Sequence, residues 1–472
     1  MKREGTRTED LTVAYIGGGS RGWAWGFMKD LGMDPQMEGV VRLYDIDKDA
    51  AEKNRSIGDM ISSHPEAKSH WRYEVSGTLK EALAGADFIV ISILPGHFGH
   101  MRSDVHWPEK YGIWQPVGDT VGPGGLMRAL RTVPMFVQIA LAIRDFAPRA
   151  WVINYTNPMT VCMNTLYAVF PDIRAFGCCH EVFGTQKLLA QMLEDLEGIR
   201  DVKREDIRTG VTGINHFTFL YSASYEGLDL FPLYRRFVDR YYQTGFLKGK
   251  DDNWMNNNFE CSHRVKFDLF RRYGLIAAAG DRHLAEFMPP WYLKDPNTAK
   301  EWGFSLTSVD WREKDLSERL AKRAALLSGA EPIDMKESGE EGHLLLKALL
   351  GLGDMVSNVN IPNRGQIPNL PEGAVVEINA FFSRDAISPM YSGPLPHGVD
   401  ALVSRHCFNQ LGIVKAAMTC DWNLALNVLL NDPQTCRLNP LDTQKMFAEM
   451  IGNTIDILPE AWKRAGQAGK EA

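Results

Sequence analysis

An α/β architecture, with an N-terminal doubly wound parallel sheet and a second α+β domain behind it, is what this sequence predicts. Three observations carry the prediction. Apolar runs of strand length alternate with helix-length stretches through the first part of the chain. The first run, LTVAYI over 11–16, leads directly into Gly17, Gly18 and Gly19. The second, VVRLYDID over 40–47, ends in acids. Near-continuous apolar runs suit strands of a parallel sheet, because helices cover both of its faces.

In order, residues 1–10 (MKREGTRTED) are polar and read as a disordered leader, with no apolar stretch of signal-peptide length. Strand 11–16 is followed by a helix from Trp23 to about Leu31, and strand 40–47 by a helix over 48–61. YEVSGTLKEAL leads to a third buried strand within ADFIVISIL, 86–94. The Gly/Pro-rich stretch PVGDTVGPGG (116–125) is a loop, and a helix runs from about Leu126 to Phe146. AWVINYTNP (150–158) is a strand ending in Asn-Pro, and AFGCCHE (175–181) a short strand with a polar tip. GVTGINHFTFLYSASYEG (210–227) reads as strands around a turn that open the second domain. Residues 228–270 and 316–350 read as helical, 374–383 as a strand, and 397–430 as a long apolar helical region. The expected division is a nucleotide-binding domain over 1–200 and a catalytic, substrate and oligomerisation domain over 201–472. No linker separates the two, so they interpenetrate.

Composition excludes several function classes. Hydrophobic residues make up 44% and charged residues 24%, the balance of a soluble globular protein. The net charge of -7, without a dense Lys/Arg stripe, argues against nucleic acid as a partner. The longest apolar runs are strand-length, so no membrane span is expected. Seven cysteines, an odd number, fit a reduced cytoplasmic compartment better than a disulfide framework.

Five motifs carry chemistry. Gly17, Gly19 and Gly22 satisfy G-x-G-x-x-G after a strand and before a helix, the Rossmann-type loop that lets backbone N–H groups approach a pyrophosphate. Gly17, Gly18, Gly19, Ser20 and Arg21 form its cofactor-facing part. Asp45 stands where an acid binds the ribose hydroxyls, which favours NAD over NADP. The bland alternative is a tight turn with no nucleotide. Asn157, in NYTNPM, sits at the C-terminal end of a strand, where open sheets place ligands, though an Asn-Pro turn explains it as well. Cys179 and His216, each at a strand tip, suit a divalent transition metal in an open site; a buried thiol and a core histidine are the alternative. Asp281, Arg282 and His283, with Glu286 one turn on, offer a base, an anion contact and a metal or hydroxyl contact, or else a solvated loop. Asp119 and Thr120 lie on the glycine-rich loop, with Arg128 and Arg131 on the following helix.

Together IGGGS (16–20), VGDTVGPGG (117–125), NYTNPM (154–159), CCHEV (178–182), GINHF (213–217) and GDRHLAEF (280–287) resemble the family 4 glycoside hydrolases, the NAD- and metal-dependent glycosidases. The resemblance covers nearly the whole chain. It implies oxidation of the sugar at C3 by NAD, removal of the acidified C2 proton, elimination of the C1 substituent, addition of water and return of the hydride. It further implies Cys179 and His216 as ligands of a divalent metal, Mn²⁺ foremost, and Asn157, Asp119, Arg282 and His283 as substrate contacts. Asp281 is the expected base, with Tyr292 in reserve. His180 stands where several phosphosugar-specific members carry an acid, and that role stays open between His180, Glu181 and metal-assisted departure. The CHEV pattern points to an unphosphorylated α-glycoside, an α-galacturonide first, with Arg282, Arg128 or Arg131 binding the carboxylate. Substrates of α-glucosidases, α-galactosidases and α-glucuronidases are alternatives within the family. The family's members form homodimers or homotetramers. Two rival readings are a 2-hydroxy-acid dehydrogenase, which shares this first half and the lactate/malate-dehydrogenase type of second domain, and a non-catalytic NAD-binding sensor.

Overall fold

The structure, a computed structural model, describes residues 2–247 and 261–463. The strands, in chain order, are β1 (Lys2–Glu4), β2 (Arg7–Ile16), β3 (Met37–Tyr44), β4 (Trp71–Val75), β5 (Phe88–Ile91), β6 (Trp151–Asn154), β7 (Arg174–Gly177), β8 (Arg208–Ile214), β9 (Phe217–Tyr225), β10 (Leu228–Asp229), β11 (Ile276–Ala277), β12 (Met355–Pro362), β13 (Val375–Ser383) and β14 (Ala386–Pro389). Six of them form a parallel sheet in the order β7-β6-β5-β2-β3-β4. The chain winds outward from β2 through β3 to β4, then returns to the other side of β2 through β5. The switch point therefore lies between β2 and β5, where open α/β sheets bind ligands. This is the doubly wound sheet that the alternating runs predict.

The second half of the chain completes the sheet. Strand β12 pairs antiparallel with β7 through Asn360 and Gly177, and β13 and β14 follow it antiparallel. A separate four-stranded sheet contains the β8–β9 hairpin, β10 and β11. One continuous core joins Tyr15 and Val41 of the parallel sheet to Ile214, Phe217 and Phe219 of the hairpin and Ile378 of β13. Burial of this shared apolar surface locks the two halves together.

Several elements depart from the sequence reading. Residues 2–10 are not a disordered leader: β1 and β2 form an antiparallel hairpin, and β2 begins at Arg7. Its first residues are polar because one side faces solvent, where Arg7 pairs with Glu38, while Thr8 is buried. The expected helix over 316–350 is two helices, Val309–Ser328 and Gly342–Leu350, separated by a stretch that starts at the left-handed Gly329. The 397–430 region is likewise two, Val399–Thr419 and Trp422–Leu430, with Cys420 in the left-handed conformation and Asp421 capping the second. Of the helical reading over 228–270, residues 248–260 lie outside the described residues.

The helix Gly122–Phe146 starts four residues earlier than expected, with a proline in its first turn, which tolerates the missing N–H. It is long and apolar enough to cross a membrane, yet 67% of its apolar window is buried within the protein. It packs against the helices Met159–Val169 and Val399–Thr419.

Candidate active site

The glycine loop is shaped by close packing at the switch point. Gly17 has φ 93°, and a Cβ there would lie 1.9 Å from the carbonyl oxygen of Ser92, just beyond β5. A Cβ on Gly18 would meet Leu43 at 2.7 Å, and one on Gly19 would meet Ala50 at 2.8 Å. The loop thus fits only without side chains. The N–H groups of Gly17 and Gly18 both donate to the Tyr44 carbonyl, and Gly19 N–H donates to Asp45 Oδ2 at 2.8 Å. The following helix, Trp23–Met33, has no side-chain cap, which leaves its positive end open to an anion such as a phosphate. These features form the cradle that a dinucleotide pyrophosphate requires.

Across the C-terminal ends of the strands lies a polar pocket. Asp119, His216 and His283 each offer a ligand atom, and these atoms lie within 4.8 Å of one another. His216 occupies the tight β8–β9 turn at φ 64°, a backbone region uncommon outside glycine, and is buried. Thr120 donates its hydroxyl proton to Asp119 Oδ1 at 2.7 Å. The hydroxyl oxygen is then left to accept from His216 Nδ1 at 3.0 Å, which assigns the imidazole lone pair to Nε2. This is the orientation a metal-binding histidine needs. The His216 and His283 rings lie with centroids 3.7 Å apart, tilted by 31° to each other. Glu181 accepts from the Gly280 N–H at 2.7 Å and comes within 3.7 Å of His283 Nε2.

Burial sets the charges of this pocket. It pushes His216 down to about 3, aided by His283 and opposed by Asp119 and Glu181. Burial alone would raise Asp119, but Arg128, His216 and His283 hold its carboxyl well below the ordinary range. Glu181 is likewise held down, at about 2, by His283, His180 and His216 despite its burial. The Cys179 thiol is raised well above its usual value by burial and by the carboxylates of Glu377 and Glu181. A divalent cation reverses that preference and favours the thiolate. His283 Nδ1 and Asn215 Oδ1 are buried without a hydrogen-bond partner. The donor set of two imidazoles and a carboxylate, with an unspent buried nitrogen, fits a divalent metal ion; the Cys179 thiol stands outside the group whose ligand atoms lie within 4.8 Å of one another.

The expected residues divide into two groups. Asp119, Thr120, His216, His283 and Glu181 come together, joined by the contacts and mutual electrostatics above, and Cys179 is tied to them only through its electrostatic link to Glu181. His180 caps the helix Glu181–Glu197 on the rim, 3.7 Å from Glu340 and 5.8 Å from the Trp23 ring. Asn157 accepts at its carbonyl from Arg128 Nε, and its Oδ1 is buried and unpartnered. Asp281 points elsewhere: its carboxylate accepts from the N–H groups of Val265 and Lys266 and so caps the helix Arg264–Tyr273. Burial raises it to about 6 against the pull of Lys266. Tyr292 donates to Asp268 at 2.6 Å, and burial pushes its phenol up. Arg131 is spent on a two-pronged pair with Asp104.

The sequence reading missed Glu377 and Arg312, and it noted Glu286 beside Asp281 without giving it a role of its own. Glu286 accepts from the N–H groups of Val117 and Gly118, and burial raises it to about 8. Glu377 accepts from Asn215 and Asn358, and burial raises it to about 7. Arg312 lies near Asp119 and Glu286. Glu377 sits inside an apolar strand run, where a lone buried acid is a usable signal; Arg312 has none, since it stands among surface charges of an amphipathic helix.

The fold is that of a Rossmann-type dinucleotide-binding protein, with the glycine loop at the switch point and a polar His/Asp group beside the β8–β9 hairpin. Residues 12–195 match the model of the family 4 glycosyl hydrolases, and residues 211–435 that of the family 4 glycosyl hydrolase C-terminal domain. The chain belongs to the family 4 glycosyl hydrolases. It is 56% identical to an α-galacturonidase of Thermoanaerobacterium saccharolyticum, over 98% of this chain and 99% of that one. It is 50% identical to an α-galacturonidase of Bacillus subtilis, over 94% and 97%. A crystal structure from Bacillus subtilis superposes with a TM-score of 0.89 at 51% identity, covering 94% of this chain and 100% of that one. A 6-phospho-α-glucosidase from gut microorganisms, solved in complex with NAD and Mn²⁺, shares the fold with a TM-score of 0.80 at 20% identity, over 96% and 99%.

Proposed function

We propose that this chain is an α-galacturonidase that hydrolyses unphosphorylated α-linked galacturonides with NAD and a divalent metal ion, Mn²⁺ foremost. The observation that carries this reading is the 50–56% identity, along nearly the whole chain, to proteins named α-galacturonidase. The pocket supports it. Gly17 to Arg21 and Asp45 would hold NAD; Cys179 and His216, with Asp119 or His283 completing the set, would hold the metal.

When bound, NAD supplies a reversible hydride acceptor and the metal a Lewis acid for neighbouring sugar oxygens. The rest falls to side chains. Thr120, tied to Asp119, fixes the His216 tautomer. Burial lowers the pKa of His283 and keeps its ring neutral, and Glu181, 3.7 Å from its Nε2, offsets part of that shift. Asn157 presents an unspent amide oxygen that suits a sugar hydroxyl. Two groups compete to take the C2 proton. Asp281, raised to about 6, has the suitable basicity but must release two backbone N–H bonds. His283 already faces the pocket with a free ring nitrogen. His180, on the rim, suits the departing C1 substituent.

We also place the protein in the cytoplasm, supported by seven free thiols, as a homodimer or homotetramer with the division at 200/201. The test compares nitrophenyl α-galacturonide and α-galactoside with NAD, Mn²⁺ and a thiol. Expected are a preference for the uronide, dependence on both cofactors, no net NADH, and deuterium at C2 of product formed in D₂O. Turnover after complete removal of nucleotide and metal, or deuterium-free product, overturns the chemistry; preference for the neutral sugar overturns the substrate.

A further inference from the structure

Arg128 and Arg312 lie close to Asp119 and Arg282 lies close to Arg312, and two of the three guanidinium groups are committed. Arg128 donates through Nε to the Asn157 carbonyl. Arg282 donates to the Pro116 carbonyl and to Thr307. The third, Arg312, belongs to the first turn of the helix Val309–Ser328, and backbone contacts fix where that turn lies. Thr307 N–H donates to the Pro116 carbonyl at 3.3 Å, Val309 N–H donates to His106 Nε2 at 3.1 Å, and Ser308 caps the Trp311 N–H. The turn is thereby stitched to the 116–120 loop that carries Asp119. Among the described residues Arg312 makes no hydrogen bond or ion pair, and its Nε is fully buried. A guanidinium does not shed its proton to relieve such burial, so it calls for an anion.

The resident carboxyls do not supply that anion. Asp119 is already shared among Arg128, His216, His283 and the Thr120 hydroxyl. Glu286 spends one oxygen on two backbone N–H groups, and burial favours its protonated form. Arg312 thus brings an uncommitted positive charge close to Asp119, which also lies within 4.8 Å of the His216 and His283 ring nitrogens. In a galacturonide the carboxylate on C5 lies across the ring from C2 and C3. A sugar whose C2–C3 edge faces His216 directs that carboxylate toward the far wall.

We propose that Arg312 is the residue that binds the substrate's C6 carboxylate, and so sets the preference for a uronide over a neutral hexoside. This rests on the α-galacturonidase reading. The planar fork of Arg312 matches a carboxylate with two parallel N–H···O bonds, and the desolvated setting strengthens both.

The test measures binding of free D-galacturonate and of D-galactose by calorimetry, with NAD and Mn²⁺ present, to the wild type, Arg312→Met and Arg312→Lys, each checked for an unchanged melting temperature. Expected is a galacturonate-over-galactose preference that falls by about 10- to 100-fold in Arg312→Met, the scale of hydrogen bonds to a charged group. Arg312→Lys keeps the charge but not the fork, and should fall in between; it carries the test if the Met variant does not fold. An unchanged preference in both variants, with the wild type still hydrolysing galacturonides, overturns the role of Arg312 alone. A wild type that does not distinguish the two sugars overturns this proposal together with the substrate reading.

Discussion

Two groups in this chain have the same composition, two histidines and one aspartate with ligand atoms within 4.8 Å: Asp119–His216–His283, and His97–His100–Asp456. Their ring centroids lie at almost the same separation, 3.7 and 3.8 Å, with tilts of 31° and 30°. They differ in what their nitrogens are already doing. In the first, a hydroxyl relay holds the His216 proton on Nδ1 and leaves Nε2 available, and His283 Nδ1 is buried without a partner. In the second, His97 Nδ1 accepts from Gly99 N–H, and His100 Nδ1 accepts from His97 N–H while its Nε2 meets Asp456 at 3.0 Å. His97 and Asp456 are exposed. Proximity and residue type are thus shared; a lone pair held ready in a water-poor setting is not. The difference leaves the first group suited to a metal ion and makes the second a helix cap with an ion pair.

The strongest break of this comparison is His216→Ala or Cys179→Ser. Each should abolish turnover and sharply lower metal content measured on the purified protein, with the fold retained. Near wild-type rate and metal in either variant moves the metal elsewhere, and the second histidine group then becomes the place to look.

How much of this was legible before the structure depends on how local the cause is. The glycine loop is local: Gly17 to Gly19 are dictated by a strand, a turn and the strands on either side, so the motif reads directly. The positions of Cys179 and His216, each just past the end of a strand, are legible because the strands themselves are recognisable. The Asp119–Thr120–His216 relay is not, since it joins residues 96 apart through the docking of a hairpin on a loop. Asp281 shows the converse. Its position beside His283 suggests one site, yet successive helical residues point in different directions, and its carboxylate serves the next helix instead. The β12–β14 extension was unreadable because its pairing with β7 is set by long-range packing, and β2 was cut short because its polar first residues face water.

The next largest effect separates the two candidate bases. If His283 removes the proton, His283→Gln should lower turnover by about a hundred- to ten-thousand-fold with little change in KM, and Asp281→Asn should cost much less. The reverse ranking returns the role to Asp281. A second readout isolates Asp281 from catalysis. Its carboxyl is raised to about 6 in the folded state by burial, so its contribution to stability is present below about pH 4 and lost as pH rises through 6. Asp281→Asn should therefore remove part of the fall in stability across that window, followed by thermal melts from pH 4 to 7. An unaltered slope contradicts a buried, proton-retaining Asp281.

A smaller effect tests the relay. Thr120→Val keeps the shape but removes the oxygen that receives the His216 N–H. Orienting partners of metal-bound histidines are typically worth about 10- to 100-fold in metal affinity, so a competition titration with a chelator should show a loss of that order. No loss means that the tautomer is set by something other than the hydroxyl.

The smallest effect belongs to the second histidine group, and its smallness is the point. Asp456→Asn keeps a carbonyl oxygen to accept from His100 Nε2 and removes only the charge. Asp456 is exposed, so water screens that charge, and the net worth of such a pair is about 0–1 kcal/mol. The His100 ring stays fixed from its other side, since His97 N–H still donates to Nδ1. A metal at this site would require Nε2 to give up its proton while Nδ1 still accepts a hydrogen bond, leaving no nitrogen for the proton of a neutral imidazole. Metal per chain and turnover should therefore match the wild type, with a melting temperature within about 2 °C. A drop in bound metal in this variant would show that residue type and proximity suffice after all, and would remove the contrast between the two groups.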